Sequence, residues 1–231
     1  MSKRDKGASL STYLDEGYAP EAVVNYLCLL GWSPKNNREK VSVQEVVELF
    51  DLPQILRHNA RFDINKLHWL NGEYIRSMTA DRFYELAIHA LGKVGITVDS
   101  FPPSYVKAAL DTCREKVKLF TEVPNFTGFY FKAEVQYSTE TIREFGGEAK
   151  DRLARLRDAF AKLSSFDVSS LESSLKQTAA DLGIKAGLLV HPLRMAVTGS
   201  AIGPSLYHLL EVLGKDRVLA RMDQAVRLAT A

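Results

Sequence analysis

The chain has 231 residues, with 30 lysines and arginines against 28 aspartates and glutamates, and 46% of it is hydrophobic. That composition excludes wholesale disorder and leaves room for one large or two to three small domains. A net charge of +2 announces no nucleic-acid partner, so any basic surface must come from charge segregation in the fold.

In chain order, the pattern predicts helix after helix. Residues 1 to 10 are polar and aperiodic, which suggests a loop. A short helix is expected around Ser11 to Glu16, closed by Gly17 as a left-handed cap. Pro20 suits a first helical turn, and the following run through Tyr26, Leu29 and Leu30 ends at Gly31. Ser42 and Glu45 have capping-box spacing ahead of Val46, Val47, Leu49 and Phe50. Asp63 is placed to cap the segment carrying Leu67, Trp69 and Leu70, and Thr79 to cap the next. That next segment shows an i, i+3, i+4, i+7 face of Phe83, Leu86, Ala87, Ala90, Leu91 and Val94.

Pro102 and Pro103 interrupt the pattern, and a helix is expected from Tyr105 to Val117. Residues 124 to 138 read as irregular, with an aromatic cluster at Phe126, Phe129, Tyr130 and Phe131, and a domain boundary is expected near Lys132. Beyond Gly146-Gly147, further helices are predicted through Leu153, Leu156, Phe160 and Leu163. Another should start at a Ser169–Glu172 capping box and stop at Gly183, and a further one run from Pro204 to Gly214. The last carries Val218, Met222 and Ala225. No hairpin, βαβ pattern or repeat is visible, so the class is all-α.

The chemistry is sparse. The five histidines, His58, His68, His89, His191 and His208, lack metal-ligand spacing, so no metal site is expected. No glycine-rich phosphate loop, nucleophile elbow or HExxH motif occurs. Two cysteines outside any CxxC pattern fit a reduced, cytosolic setting. The opening residues lack a signal-peptide core, and no apolar run is long enough for a membrane. Helical spacing would put Lys107, Arg114 and Lys118 on one side, close to the aromatic cluster. Cations interleaved with rings suit single-stranded RNA, but these residues alone favour a solvated face beside a small aromatic core.

Four segments together resemble the glutamyl-tRNA synthetases, class I aminoacyl-tRNA synthetases of bacterial type. Met1-Ser2-Lys3-Arg4 is similar to the end of their KMSKS loop. Gly17 to Trp32 resembles the stretch GF-x-PEA-x-x-NYL-x-LLGW, and Phe62 to Ile75 the pattern FD-x-x-KL-x-W-x-N-x-x-YI. Pro192-Leu193-Arg194 with Thr198-Gly199, Gly203-Pro204, Leu206 and Leu213-Gly214 resembles PLR-x-A-x-TG…P-x-L…LG. The order is the family's, over nearly the whole chain.

The resemblance implies a C-terminal fragment beginning at the KMSKS loop. Residues 1–78 would be that loop and the stem-contact region, and 79–132 and 133–231 two helical anticodon-binding subdomains forming an α-helix cage. The implied function is anticodon recognition on tRNA(Glu), as part of a cytoplasmic ligase that joins glutamate to tRNA using ATP and Mg. Lys3 would neutralise ATP phosphates, with Ser2 and Arg4 shaping the loop. Lys116 would lie near the third anticodon base, and Arg194, Gly203, Pro204 and Leu206 around the first two. Trp69, Asn71 and Tyr74 would be packing residues that fix the angle between subdomains.

Three departures stand out. The first lysine of KMSKS is missing, and no HIGH motif or nucleotide-binding Rossmann half is present. The chain is therefore not expected to make glutamyl-adenylate alone, and its expected partners are tRNA(Glu) and a catalytic N-terminal half, with no membrane or DNA. Lys116 also stands where discriminating family members carry arginine; lysine keeps the charge but lacks the planar bidentate fork. The competing expectation is a helical protein-interaction scaffold that has lost RNA contact.

Overall fold

The computed structural model describes residues 9–34, 38–55 and 61–229. Among these there are thirteen α-helices and no strand, as the all-α reading expects. They are α1 (Leu10–Glu16), α2 (Pro20–Gly31), α3 (Val43–Leu49), α4 (Ile64–Ser77), α5 (Ala80–Lys93), α6 (Pro103–Asp111) and α7 (Val123–Thr127). The series continues with α8 (Thr139–Glu144), α9 (Glu148–Ala161), α10 (Val168–Asp181), α11 (Gly187–Thr198), α12 (Leu206–Leu213) and α13 (Lys215–Leu228). Single 3-10 turns lie at Leu52–Gln54, Phe120–Glu122 and Gly128–Phe131. No helix among the described residues is long and apolar enough to cross a membrane.

Local chemistry sets most helix ends. Gly17 closes α1 at φ +90°, a conformation that costs a side-chain-bearing residue. Ser42 and Glu45 form the expected capping box on α3, while Asp63 and Thr79 cap α4 and α5 through their side-chain oxygens. At α10 the cap is Asp167 rather than Ser169. The Asp167 carboxylate accepts from the Ser170 amide and from the Ser169 hydroxyl, and a carboxylate at the helix dipole's positive end outcompetes a hydroxyl there. Pro204 lies two residues ahead of α12, whose N-cap is Ser205.

Two compact units emerge, Met1–Gly95 with Arg114–Pro124, and Ile96–Cys113 with Asn125–Ala231. In the first, Tyr13, Tyr18, Val23, Tyr26, Leu67 and Leu70 form a core. Asn71 and Tyr74 are its polar joints. Asn71, fully buried, accepts from the Ala19 amide at 2.9 Å and donates to the Lys118 carbonyl at 2.5 Å. The Tyr74 hydroxyl lies 2.9 Å from Asn25 Oδ1 and 2.8 Å from the Val41 carbonyl. Residues 114–124 are tied to this unit by further bonds, among them Phe120 N to the Gly17 carbonyl at 2.8 Å and Thr121 Oγ1 to the Glu16 carbonyl at 2.9 Å.

The second unit packs α9, α10, α11, α12 and α13 around Phe145, Leu153, Leu156, Phe160, Leu175, Leu193, Leu209 and Met222. The Arg157 guanidinium grips Asp223 with two parallel bonds of 2.8 and 3.0 Å, fixing α9 against α13. More unusual is Arg221, only 2% exposed. Its guanidinium donates to the carbonyls of Val197, Phe129 and Lys132, so one side chain gathers the end of α11 and the 3-10 turn at 128–131. Burial, and then the charge of Arg217, pushes its pKa down to about 10.

Candidate nucleic-acid interface

Four of the expected RNA-reading residues lie in or beside the turn between α11 and α12. Gly199 ends α11 in the left-handed region at φ +77°, where a Cβ would come within 2.9 Å of Val135 Cγ1 and 3.1 Å of the Gln136 carbonyl. The Thr198 hydroxyl lies 2.8 Å from the Arg194 carbonyl and 2.9 Å from that of Ser200, and accepts from the Ser200 amide at 3.0 Å. Ser200 Oγ in turn accepts from the Ile202 amide at 3.2 Å. The turn is therefore held from inside.

Arg194 closes it. Its Nη1 donates to the Pro204 carbonyl at 2.7 Å, and a Cβ on Gly203 would sit 3.1 Å from that same nitrogen. Gly203 leaves room for the guanidinium to lie flat against the chain. Gly203, Pro204 and Leu206 are buried and Arg194 is half-buried. Burial lowers the Arg194 pKa, and the nearby Tyr130 offsets part of that effect. The guanidinium stays charged at neutral pH, with several donors beyond the one used on Pro204.

Lys116 belongs to the other unit, so the five residues are divided between two compact bodies. It lies exposed in a turn after α6. Helix α6 ends at Asp111, which removes the shared helical face expected for Lys107, Arg114 and Lys118. Arg114 instead packs over the Phe83 ring and donates to the Ile75 carbonyl at 3.2 Å and to the Met78 carbonyl. A cation on the last carbonyls of α4 complements that helix's dipole and pins the turn from which Lys116 projects. Arg114 thus anchors the chain two residues before Lys116.

The aromatic cluster is packing material: Phe129 and Tyr130 are buried, and the Tyr105 hydroxyl donates to the Tyr130 carbonyl at 3.2 Å. Trp69 is 43% exposed on α4, three residues after Lys66 and four before Glu73. The reason is the register of α4, whose core face is taken by Leu67, Leu70 and Asn71. Ser2, Lys3 and Arg4 lie outside the described residues. Among the described residues, no group of three or more histidine, cysteine, aspartate or glutamate side chains could hold a metal ion.

Comparison with known proteins bears on the same turn. Residues 82–226 match the family described as the anticodon binding domain, and residues 1–69 match the catalytic domain of class I tRNA synthetases (E and Q). The chain belongs to the glutamate-tRNA ligase family, as its C-terminal part. The glutamate-tRNA ligase of Methylacidiphilum infernorum (isolate V4) is 42% identical over 227 residues, covering 98% of this chain and 51% of that protein. That of Moorella thermoacetica is 36% identical over 232 residues, covering 98% and 47%. A crystal structure of a glutamate tRNA ligase from Elizabethkingia meningosepticum, in complex with its amino acid, superposes with a TM-score of 0.81. It is 26% identical, over 94% of this chain and 43% of that one. The chain spans about half the length of the glutamate-tRNA ligases it matches. Its anticodon-binding match contains the α11–α12 turn and Lys116, whereas its catalytic match ends at Trp69.

Sequence reasoning missed Arg114 and Arg221 as supports. A lone arginine carries no local signal of which distant carbonyls it will meet. It also missed the bonds within the turn, although Thr198, Gly199 and Ser200 side by side are a turn signal.

Proposed function

We propose that this chain reads the anticodon of tRNA(Glu) for a glutamate-tRNA ligase. The observation that carries the reading is the Arg194–Pro204 bond, which braces a turn lying within the residues that match the anticodon-binding family. Arg194, Gly203, Pro204 and Leu206 would surround the first two anticodon bases and Lys116 the third. A half-buried, partly coordinated guanidinium suits base edges, because its remaining donors are already oriented. The outer face of α4, with Trp69 exposed and Lys66 and Arg76 paired to Glu39 and Glu73, would meet the tRNA stem as part of a stem-contact region over 1–78. Residues 79–132 and 133–231 would be the two anticodon-binding subdomains.

The full reaction would need a catalytic N-terminal half, with ATP and Mg bound there and Lys3, Ser2 and Arg4 contributing to the activation loop. Exposed large apolar side chains support such a partner. Most of those among the described residues fall at or before Trp69, within the catalytic-domain match, with Val47 75% and Leu52 71% exposed. Val43, Val47 and Phe50 recur at helical spacing along α3, which buries none of its own residues.

The test is binding of the chain to a tRNA(Glu) transcript and to one with a changed anticodon, across a salt series. Preference for the cognate transcript, with affinity falling steeply as salt rises, is expected. Equal affinity for both transcripts refutes the reading. Glutamate-dependent pyrophosphate exchange by the chain alone is expected to be absent.

A further inference from the structure

We propose that Ile202 is an apolar wedge that inserts against an unpaired base of the RNA bound by the α11–α12 turn. This rests on the anticodon-reading function proposed above and adds a residue to it.

Ile202 is 72% exposed, the most exposed large apolar side chain among the described residues of its compact unit; Leu188 at 46% and Leu228 at 42% follow. A single exposed aliphatic residue is ordinary on a protein surface. What distinguishes this one is its footing. The residues on both sides are tied down: Gly199 against Val135, Ser200 to Thr198, and Pro204 to Arg194. The Ile202 backbone is itself bonded, its amide donating to Ser200 Oγ. The turn therefore holds an isoleucine into water at a position next to Gly203-Pro204, the two residues that lie against Arg194.

Such an arrangement does little for folding, since most of the side chain stays in water. It suits a base. Nucleobases present apolar faces once unpaired, and an aliphatic side chain that is branched at Cβ has few rotamers to lose when it meets one. A preorganised turn lowers the ordering cost further. The ligand chemistry is thus the flat face of an unpaired nucleobase, flanked by the Arg194 guanidinium.

The probe is the anticodon stem-loop of tRNA(Glu), made once unlabelled and once with 2-aminopurine in the anticodon. Ile202→Ala is expected to weaken binding roughly tenfold, the scale of one lost base contact. The salt slope should stay as in the parent, because no charge is removed. At saturation the parent should change the 2-aminopurine emission through altered stacking, and Ile202→Ala should lose most of that change, while Ile202→Leu retains it. Leu188→Ala, an exposed apolar change on α11, should bind like the parent. If Ile202→Ala matches the parent in affinity and emission while anticodon preference persists, the wedge is refuted and the parent function stands. If the parent itself binds a stem-loop of scrambled anticodon equally well, the anticodon reading fails instead.

Discussion

The Arg194 guanidinium and the Pro204 carbonyl meet at 2.7 Å, across the turn that joins α11 to α12. The bond is charge-assisted and half-buried, so its removal should cost about 1.5–3 kcal/mol. Arg194→Ala is expected to lower the melting temperature and to erase preference for the cognate anticodon. Gly203→Ala acts on the same bond from the other side. Its new Cβ would press on Arg194 Nη1, the movable end of a long side chain. Stability should change by less than about 1 kcal/mol, while affinity for tRNA falls because the guanidinium is displaced. Thermal melts read beside tRNA titrations separate the two effects, and equal loss of both in Gly203→Ala would contradict this account.

Lys116 offers a cleaner electrostatic comparison. Lys116→Ala should weaken tRNA binding and reduce the salt slope by about one. Lys116→Arg keeps the charge, so its slope should match the parent. The planar fork should nonetheless raise discrimination at the third anticodon position, by about 1–3 kcal/mol if it becomes bidentate on a base edge. Titration with transcripts differing only at that base provides the measurement.

Much of the fold could be read before any coordinates, and the reasons are local. Gly17, Ser42 with Glu45, Asp63 and Thr79 act within four residues of their own position, so spacing alone exposes them. Helix α11 escaped because Pro192 sits inside it, breaking the usual signal while Leu189, Leu193 and Ala196 still pack in the core. The Asp167 cap escaped because Ser169 offered a competing pattern two residues later. Of the candidate site, Arg194, Gly203, Pro204 and Leu206 were singled out by family resemblance alone, and the structure joins Arg194 to Pro204 with Gly203 beside its guanidinium. What holds them was not: Arg221 reaches carbonyls 24 and 92 residues away in the chain, a distance no spacing rule covers. The compact units likewise interleave segments 96–113 and 114–124, through hydrogen bonds that only three dimensions reveal.

Gly17 should be the least replaceable glycine of the first unit. At φ +90° any side chain is strained, and a Cβ would come within 2.5 Å of the Thr121 amide nitrogen, which is backbone and has nowhere to go. Gly17→Ala is expected to destabilise by at least ~2 kcal/mol. Gly95, also at positive φ but with open space around its Cβ position, should tolerate alanine better, by roughly 1 kcal/mol. Denaturant melts of the two variants test the ranking.

Arg221 should be more important to stability than any surface ion pair here. Arg221→Met keeps much of the stem's volume but leaves the carbonyls of Val197, Phe129 and Lys132 without this donor, a loss of roughly 3 kcal/mol or more. Arg221→Lys retains the charge with fewer donors and should fall between the two. Hydrogen exchange localises the effect: amides at the end of α11 and in residues 128–132 should lose protection first.

Alkaline stability depends on tyrosines whose pKa burial raises, Tyr130 most of all, and three others show the size of the effect. Burial is the main cause that pushes Tyr18, Tyr74 and Tyr137 up to about 12, from the 10 of an unfolded chain. The neighbouring charges of Glu16 and Glu21 raise Tyr18 and Tyr74 respectively, while Arg221 pulls Tyr137 the other way. Below pH 10 both states hold these protons and their contribution to stability is constant. Between pH 10 and 12 the unfolded state releases protons that the folded state keeps. The unfolded state is favoured there, and stability is lost at about 1.4 kcal/mol per pH unit for each such tyrosine. Melting temperatures should be flat with respect to these groups up to about pH 9.5 and then fall steeply. Tyr74→Phe, which removes one titrating group along with its bonds to Asn25 and Val41, should melt lower at neutral pH yet decline less steeply above pH 10. Tyrosinate absorbance followed during the same titration would contradict the assignment if these phenols ionised before unfolding began.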